Sequence, residues 1–283
     1  MRIAYSAIFL LLFISFGSKA QTAIKLENSE GNYYYSIKGK TNKKLLVFLH
    51  GGVKNPYFQQ SIDKIELNFL LENNQDFINK ATESGFDVMV PITNSEFDWI
   101  EDHSQSLVVL KSMIASEGHD YEQIFISGFS DGGTGSYRMF YSEPTFFHGL
   151  LVFNGFPQSS NFNQKVDYSK VTNQKVIFCG TTNDKMIPYE FLMIEYCEQK
   201  KTNPNTYLYV TKGGHSFSHY EEKDFAEVFS IINGESNCKS LEVIHGYIKQ
   251  DKVIRFYPFR KKVLRKYRYG EAIYLENKLQ KKS

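Results

Sequence analysis

Six short runs along the chain are apolar, continuous and rich in β-branched residues: residues 44–49, 87–91, 123–126, 149–153, 175–179 and 206–210. A strand covered on both faces shows no polar alternation, so runs of this kind predict strands in the interior of a sheet. Between them the apolar spacing changes to every third or fourth residue. Residues 61–82 carry Ile62, Ile65, Phe69, Phe77 and Ile78, with a break near Asn73 and Asn74. Residues 104–117 carry Leu107, Val108, Leu110 and Ile114, and residues 132–141, 188–200 and 221–232 have the same spacing. That period places the apolar side chains on one face of a helix. Strand and helix in alternation, with short connections, predict an α/β fold: a mostly parallel, doubly wound sheet with helices on both faces. Residues 32–40, with Tyr33, Tyr34 and Tyr35 in a row, predict an antiparallel strand added at one edge. No internal repeat or low-complexity linker interrupts residues 21–235.

The two ends differ from this middle. Met1 and Arg2 give a positive start, residues 7–16 are apolar apart from Ser15, and Ser18 and Ala20 set small residues where a signal peptidase reads. This pattern predicts a cleaved secretory signal over residues 1–20, since the apolar run is shorter than the ~20 residues that span a bilayer. Without a cysteine after Ala20, no lipid anchor of the bacterial lipoprotein kind is expected. Residues 21–237 then form one α/β domain, and residues 238–283 a basic, aromatic, β-rich extension. Residues 249–283 hold 12 Lys and Arg against 3 Asp and Glu, whereas the whole chain has a net charge of +2. The body is therefore acidic, at about −9, and the tail basic. A strand pair packed on the acidic body and a patch for an anionic surface both fit this tail. The overall charge gives no reason to expect nucleic acid. Cys179, Cys197 and Cys238 are an odd number; Cys179 lies in an apolar run, and a Cys197–Cys238 bridge stays open. No cysteine or histidine spacing suggests a metal.

In parallel sheets reactive groups gather at the C-terminal strand ends. The run 123–126 leads into Gly128-Phe129-Ser130-Asp131-Gly132, a G-x-S-x-G pattern set between a strand and a helix. Such an elbow turns sharply enough that residues two away must lack side chains, and it lifts the serine hydroxyl clear of the sheet. The run 44–49 ends in His50-Gly51-Gly52. There the N–H of Gly52 or its neighbour Val53, with that of Asp131, suits a developing oxyanion. His50 is expected to tie down the loop. After residues 175–179 come Gly180 to Pro188, where Asp184 is placed to orient a histidine; capping the next helix is its competing role, and Glu190 and Asp167 are weaker candidates. After residues 206–210, Gly213 and Gly214 precede His215, which is favoured over His219 as a base. The chain order Ser130, Asp184, His215 is that of one triad architecture and not of others. No cofactor is required. Residues 154–173, with Phe156, Phe162 and Tyr168, are long enough for a small lid.

With Leu49 to Gly52, Gly128 to Gly133, Gly180 through Asp184 to Pro188, and Gly214-His215, the chain resembles the α/β-hydrolase superfamily. It is most similar to the compact esterases grouped around dienelactone hydrolases, feruloyl and acetylxylan esterases and prolyl-oligopeptidase-type catalytic domains. Asp120 to Ile124, ahead of the elbow, resembles their lead-in, and the likeness covers residues 30–235. It implies a serine hydrolase with Ser130 as nucleophile, His215 as base and Asp184 as orienting acid, acting on a small-molecule or glycan-linked ester. A peptidase of the same fold and a non-catalytic binding module are the alternatives. One departure is Asp131 in the elbow's variable position, where many relatives carry Met, Gln or His; its charge beside the serine would disfavour anionic substrates.

Overall fold

The computed structural model describes residues 23–41, 43–52, 74–93, 98–100, 103–155 and 166–235. Eight strands form one sheet: β1 (Ala23–Glu27), β2 (Tyr33–Ile37), β3 (Lys44–Leu49), β4 (Phe86–Pro91), β5 (Gln123–Phe129), β6 (Gly149–Phe153), β7 (Lys175–Thr181) and β8 (Thr206–Thr211). Their order is β1-β2-β4-β3-β5-β6-β7-β8. The pairs β1–β2 and β2–β4 are antiparallel, and every pair from β4 through β8 is parallel. Five helices accompany them among the described residues: α1 (Gln75–Glu83), α2 (His103–Ser116), α3 (Asp131–Ser142), α4 (Tyr189–Lys200) and α5 (Glu222–Asn233).

Alternate strand residues feed two apolar layers. Leu45, Val47 and Leu49 of β3, Leu150 and Val152 of β6, and Val176 and Phe178 of β7 pack with α2, α3 and α4. Leu46 and Phe48, Leu151 and Phe153, and Ile177 and Cys179 pack on the other face with α1 and α5. Both faces are therefore covered, which is why the runs are continuously apolar. Each fully buried Phe or Leu contributes about 1.5–3 kcal/mol to holding the layers together. The expected α/β fold, doubly wound with helices on both faces, is what the chain adopts.

One expectation is corrected and another is described in part. The tyrosine-rich strand β2 is not at the edge, because β1 pairs along its outer side from Ala23↔Ile37 to Glu27↔Tyr33. The expected helix over residues 61–82 is described only from Gln75, the start of α1, and its earlier part lies outside the described residues. The expected signal segment, the extension 238–283, Cys238 and Val53 also lie outside them. No described helix is long and apolar enough to cross a membrane.

The strand order turns back at β3: the chain goes to β4 on one side and then to β5 on the other. A crevice opens at such a reversal, at the carboxyl ends of the strands. The ends of β3 and β5 carry the two glycine-rich turns.

Candidate active site

The chain leaves β5 at Phe129 and enters α3 at Asp131, with only Ser130 between. Ser130 has φ 54° and ψ −117°, a region costly for a residue with a Cβ. Its N–H donates to Phe153 O (3.0 Å) and its carbonyl accepts from Thr134 N–H (2.9 Å), which hold the turn in place. The flanking glycines are needed for close approach. A Cβ on Gly128 would lie 2.4 Å from the Gly132 carbonyl carbon, and one on Gly132 would lie 1.9 Å from Leu49 O. Helix α3 thus begins directly against the end of β3.

His215 reaches this serine from the loop after β8. Its Nε2 lies 2.8 Å from Ser130 Oγ, and its Nδ1 lies 2.7 Å from Asp184 Oδ2. The carboxylate can only accept, so Nδ1 carries the proton and Nε2 presents a lone pair to the hydroxyl. His215 keeps 13% of its side-chain surface exposed and Asp184 none. Phe129 packs along the imidazole at 5.1 Å between ring centroids. Two residues past His215, Phe217 plugs into Phe48, Phe77, Phe153 and Phe225 at 5.3–5.6 Å and anchors the loop. Of the two glycines before His215, Gly213 is needed for both its conformation and its close contact. Gly213 has φ 151°, and a Cβ there would lie 2.5 Å from His219 Cβ. His219 itself is exposed and packs over that turn, away from the serine contact.

Asp184 is held on both oxygens. Oδ1 accepts from the N–H groups of Met186 and Ile187, each at 2.8 Å, while Oδ2 accepts from His215 and from Asn154 Nδ2 at 2.6 Å. Burial pushes its pKa up, but bonds from His215, Ile187 and Asn154 together with the His215 charge outweigh that and hold it below the usual value. Capping of the next helix is not its role: α4 starts at Tyr189 behind Pro188, with no side-chain cap. Asp167 instead caps the short turn Tyr168–Lys170 through Ser169 N–H. The side chain of Glu190 lies outside the described residues.

On the other side of Ser130 lies the turn after β3. A Cβ on Gly51 would be 3.2 Å from Ser130 Cβ, so this turn abuts the serine, and Gly52 follows with φ 79°. Asp131 opens α3, and N–H groups in a first helical turn point out of the helix toward this rim. His50 is turned inward: Nδ1 donates to Gly51 O (3.0 Å), and Nε2 accepts from Thr93 N–H (3.4 Å). Burial lowers its pKa and keeps it neutral. Trp99 joins the two halves. Its Nε1–H donates to His50 O (3.0 Å), and its Cβ sits where a side chain on Gly135 of α3 would be. Arg138, two turns beyond Asp131 on the same helix face, is lowered by burial and supported by the charges of Asp98 and Asp131. The Asp131 and Arg138 charges therefore interact favourably.

Sequence reasoning missed Asn154, Tyr220 and Trp99. A lone Asn after an apolar run carries no local signal, while Trp99 next to the acidic Asp98 and Glu101 looks like a loop residue. The expected lid over residues 154–173 is described only at its ends. There the Tyr168 hydroxyl donates to Glu195, so this aromatic is tied to α4. Among the described residues no group of three His, Cys, Asp or Glu could hold a metal.

No protein-family model matches the sequence, and no curated protein matches it. Solved structures do match in shape. The esterase Pf2001 of Pyrococcus furiosus superposes with a TM-score of 0.55 at 13% identity, over 76% of this chain and 92% of that one. Est1E of Butyrivibrio proteoclasticus has a TM-score of 0.51 at 14% identity, over 79% and 99%. LpqC, a poly(3-hydroxybutyrate) depolymerase of Bordetella parapertussis, has 0.50 at 14% identity, over 81% and 94%. At such identities the likeness shows the fold, which is that of the α/β-hydrolases.

Proposed function

We propose that this chain is an exported serine hydrolase that cleaves carboxylic esters through an acyl-enzyme on Ser130. The observation that carries the reading is the unbroken path from Ser130 Oγ through His215 to Asp184, with hydrogen bonds of 2.8 and 2.7 Å. Esterases among the structural neighbours support the ester as substrate class, and the leader-like residues 1–20 support export.

As an ester carbonyl arrives, His215 Nε2 takes the Ser130 proton and the oxygen forms a bond to the carbonyl carbon. The carbonyl oxygen gains the electron pair, and the N–H groups of Gly52 and Asp131 stabilise it. His215 Nε2 then gives its proton to the departing alkoxide, and the C–O bond to the alcohol breaks. Water repeats the sequence: it loses a proton to His215, attacks the acyl carbon, and releases the acid as Ser130 recovers its proton. Throughout, Asp184 stays ionised and stabilises the imidazolium. No cofactor enters the scheme.

The test is a panel of p-nitrophenyl esters of rising chain length, beside aryl and sugar acetates and a peptide substrate. Ser130→Ala is expected to lower kcat by about 10⁴-fold or more with the fold retained. A fluorophosphonate should add one adduct, on Ser130. Turnover by Ser130→Ala close to that of the parent chain would discard the assignment, and cleavage of the peptide alone would move it to a peptidase.

A further inference from the structure

Asn154 and Ser130 are the two described non-glycine residues with positive φ, at 44° and 54°. A left-handed Asn costs backbone energy and persists where its surroundings demand it. Asn154 follows β6, is fully buried, and is pinned by its N–H donating to Cys179 O (2.8 Å) on the neighbouring strand. Its side chain sits at the back of Asp184. Nδ2 donates to Asp184 Oδ2 (2.6 Å) and to Thr181 Oγ1 (2.9 Å), while Oδ1 accepts from the Tyr220 hydroxyl.

The direction of every bond in this chain is determined. Tyr220 is buried among Phe153, Phe217 and Phe225. Burial above all, then the nearby Cys179, Asp184 and Asp224, raises its phenol well beyond the ordinary range, so it remains a donor. Thr181 spends its proton on Gly214 O (2.8 Å), in the loop that carries His215, and so accepts from Asn154. A flipped amide would set an oxygen against the carboxylate and face the Tyr220 proton with an NH₂ group. Only one orientation satisfies both ends.

We propose that Tyr220 and Asn154 are positioning residues, in which Tyr220 orients the Asn154 amide and Asn154 holds Asp184 Oδ2 in line with His215 Nδ1. The inference rests on the reading of Ser130, His215 and Asp184 as a triad. Backbone N–H groups fix Oδ1, but on Oδ2 the Asn154 amide is the partner besides His215 itself. Without it the carboxylate can rotate away from the imidazole at the moment the imidazolium forms. Tyr220 hydrogen-bonds neither the serine nor the histidine, and its influence travels through the amide.

The experiment compares Asn154→Gly, Tyr220→Phe and the double variant in the full chain. Glycine suits the left-handed backbone, and phenylalanine keeps the ring of Tyr220 in its aromatic pocket. With p-nitrophenyl acetate, Asn154→Gly should lower kcat about tenfold or more and leave KM within about twofold, because the lost bond is charge-assisted and serves the transition state. Tyr220→Phe should lower kcat less, and the double variant should match Asn154→Gly alone, since Tyr220 acts only through Asn154. The downfield proton resonance of His215 Nδ1–H should shift in both single variants. Losses that multiply in the double variant, or an unmoved resonance with kcat within about twofold of the parent, would overturn the proposal. Ser130→Ala in the same assay separates the two ideas. Turnover surviving there sinks the hydrolase reading, while the resonance, which needs no turnover, still decides the relay.

Discussion

Gly132→Ala probes the join between helix α3 and the turn after β3. The added Cβ would lie 1.9 Å from Leu49 O and 2.6 Å from His50 O. Ordinary contact begins near 3.4 Å, so the gap must open by about 1.5 Å. Both opposing atoms are backbone, and no rotamer change relieves the clash. Strain should therefore reach about 3 kcal/mol, the upper end for an overpacked site. At roughly 2–4 °C per kcal/mol this lowers Tm by about 6–12 °C. The same movement separates the Gly52 turn from Asp131, the two sources of N–H groups proposed for the oxyanion. A displacement of about 1 Å costs ~10²-fold in rate, and loss of one oxyanion donor costs ~10²–10³-fold. Gly149→Ala is the control, since its Cβ would meet Phe125 at 2.4 Å at the amino end of β6, far from the serine. Melting by circular dichroism and kcat on p-nitrophenyl acetate should show both variants destabilised and only Gly132→Ala slowed. If Gly132→Ala keeps kcat within about threefold of the parent while its Tm falls, the steric link between elbow and oxyanion turn is wrong.

Trp99→Phe keeps a ring against Gly135 but leaves the buried His50 carbonyl without its donor, which should cost about 1–3 kcal/mol in urea unfolding; an unchanged midpoint would refute the strut. Asp184 has its pKa held below 3.8 when folded, so its ionised form stabilises the chain above that pH and the benefit is lost as pH falls through the folded value. The stability gap between the parent chain and Asp184→Asn should accordingly be widest above about pH 5 and close below about pH 4, and a gap constant down to about pH 2 would contradict this. Cys179 is buried, and that burial, aided by Asp224, raises its thiol far above the usual range. Iodoacetamide should leave it untouched in the folded protein and alkylate it after denaturation, as mass spectrometry of the peptide would report.

The interior strands show what local pattern can carry. Residues 44–49 and 149–153 are strands to the residue, because a strand buried on both faces records its burial in its own composition. Strand β5 runs three residues past the apolar run and β7 two, through Ser127, Gly128 and Gly180. Those positions are extended because the neighbouring strands pair with them. Strand β1 is mostly exposed, with Lys25 and Glu27 in it, and exists through its pairing with β2, so it left no continuous apolar run.

The site divides in the same way. Glycines around Ser130, and strand ends before Asp184 and His215, are properties of short segments, and the sequence determined by itself where each candidate would sit. Tertiary structure alone decided which groups meet. Strands β6 and β7 lie side by side in one register, and that places Asn154 behind Asp184 with Tyr220 behind both. It also set Trp99 between the His50 carbonyl and α3. Burial follows from the period of apolar residues along one segment, whereas a buried hydrogen bond depends on the alignment of segments far apart in the chain, which no single segment encodes.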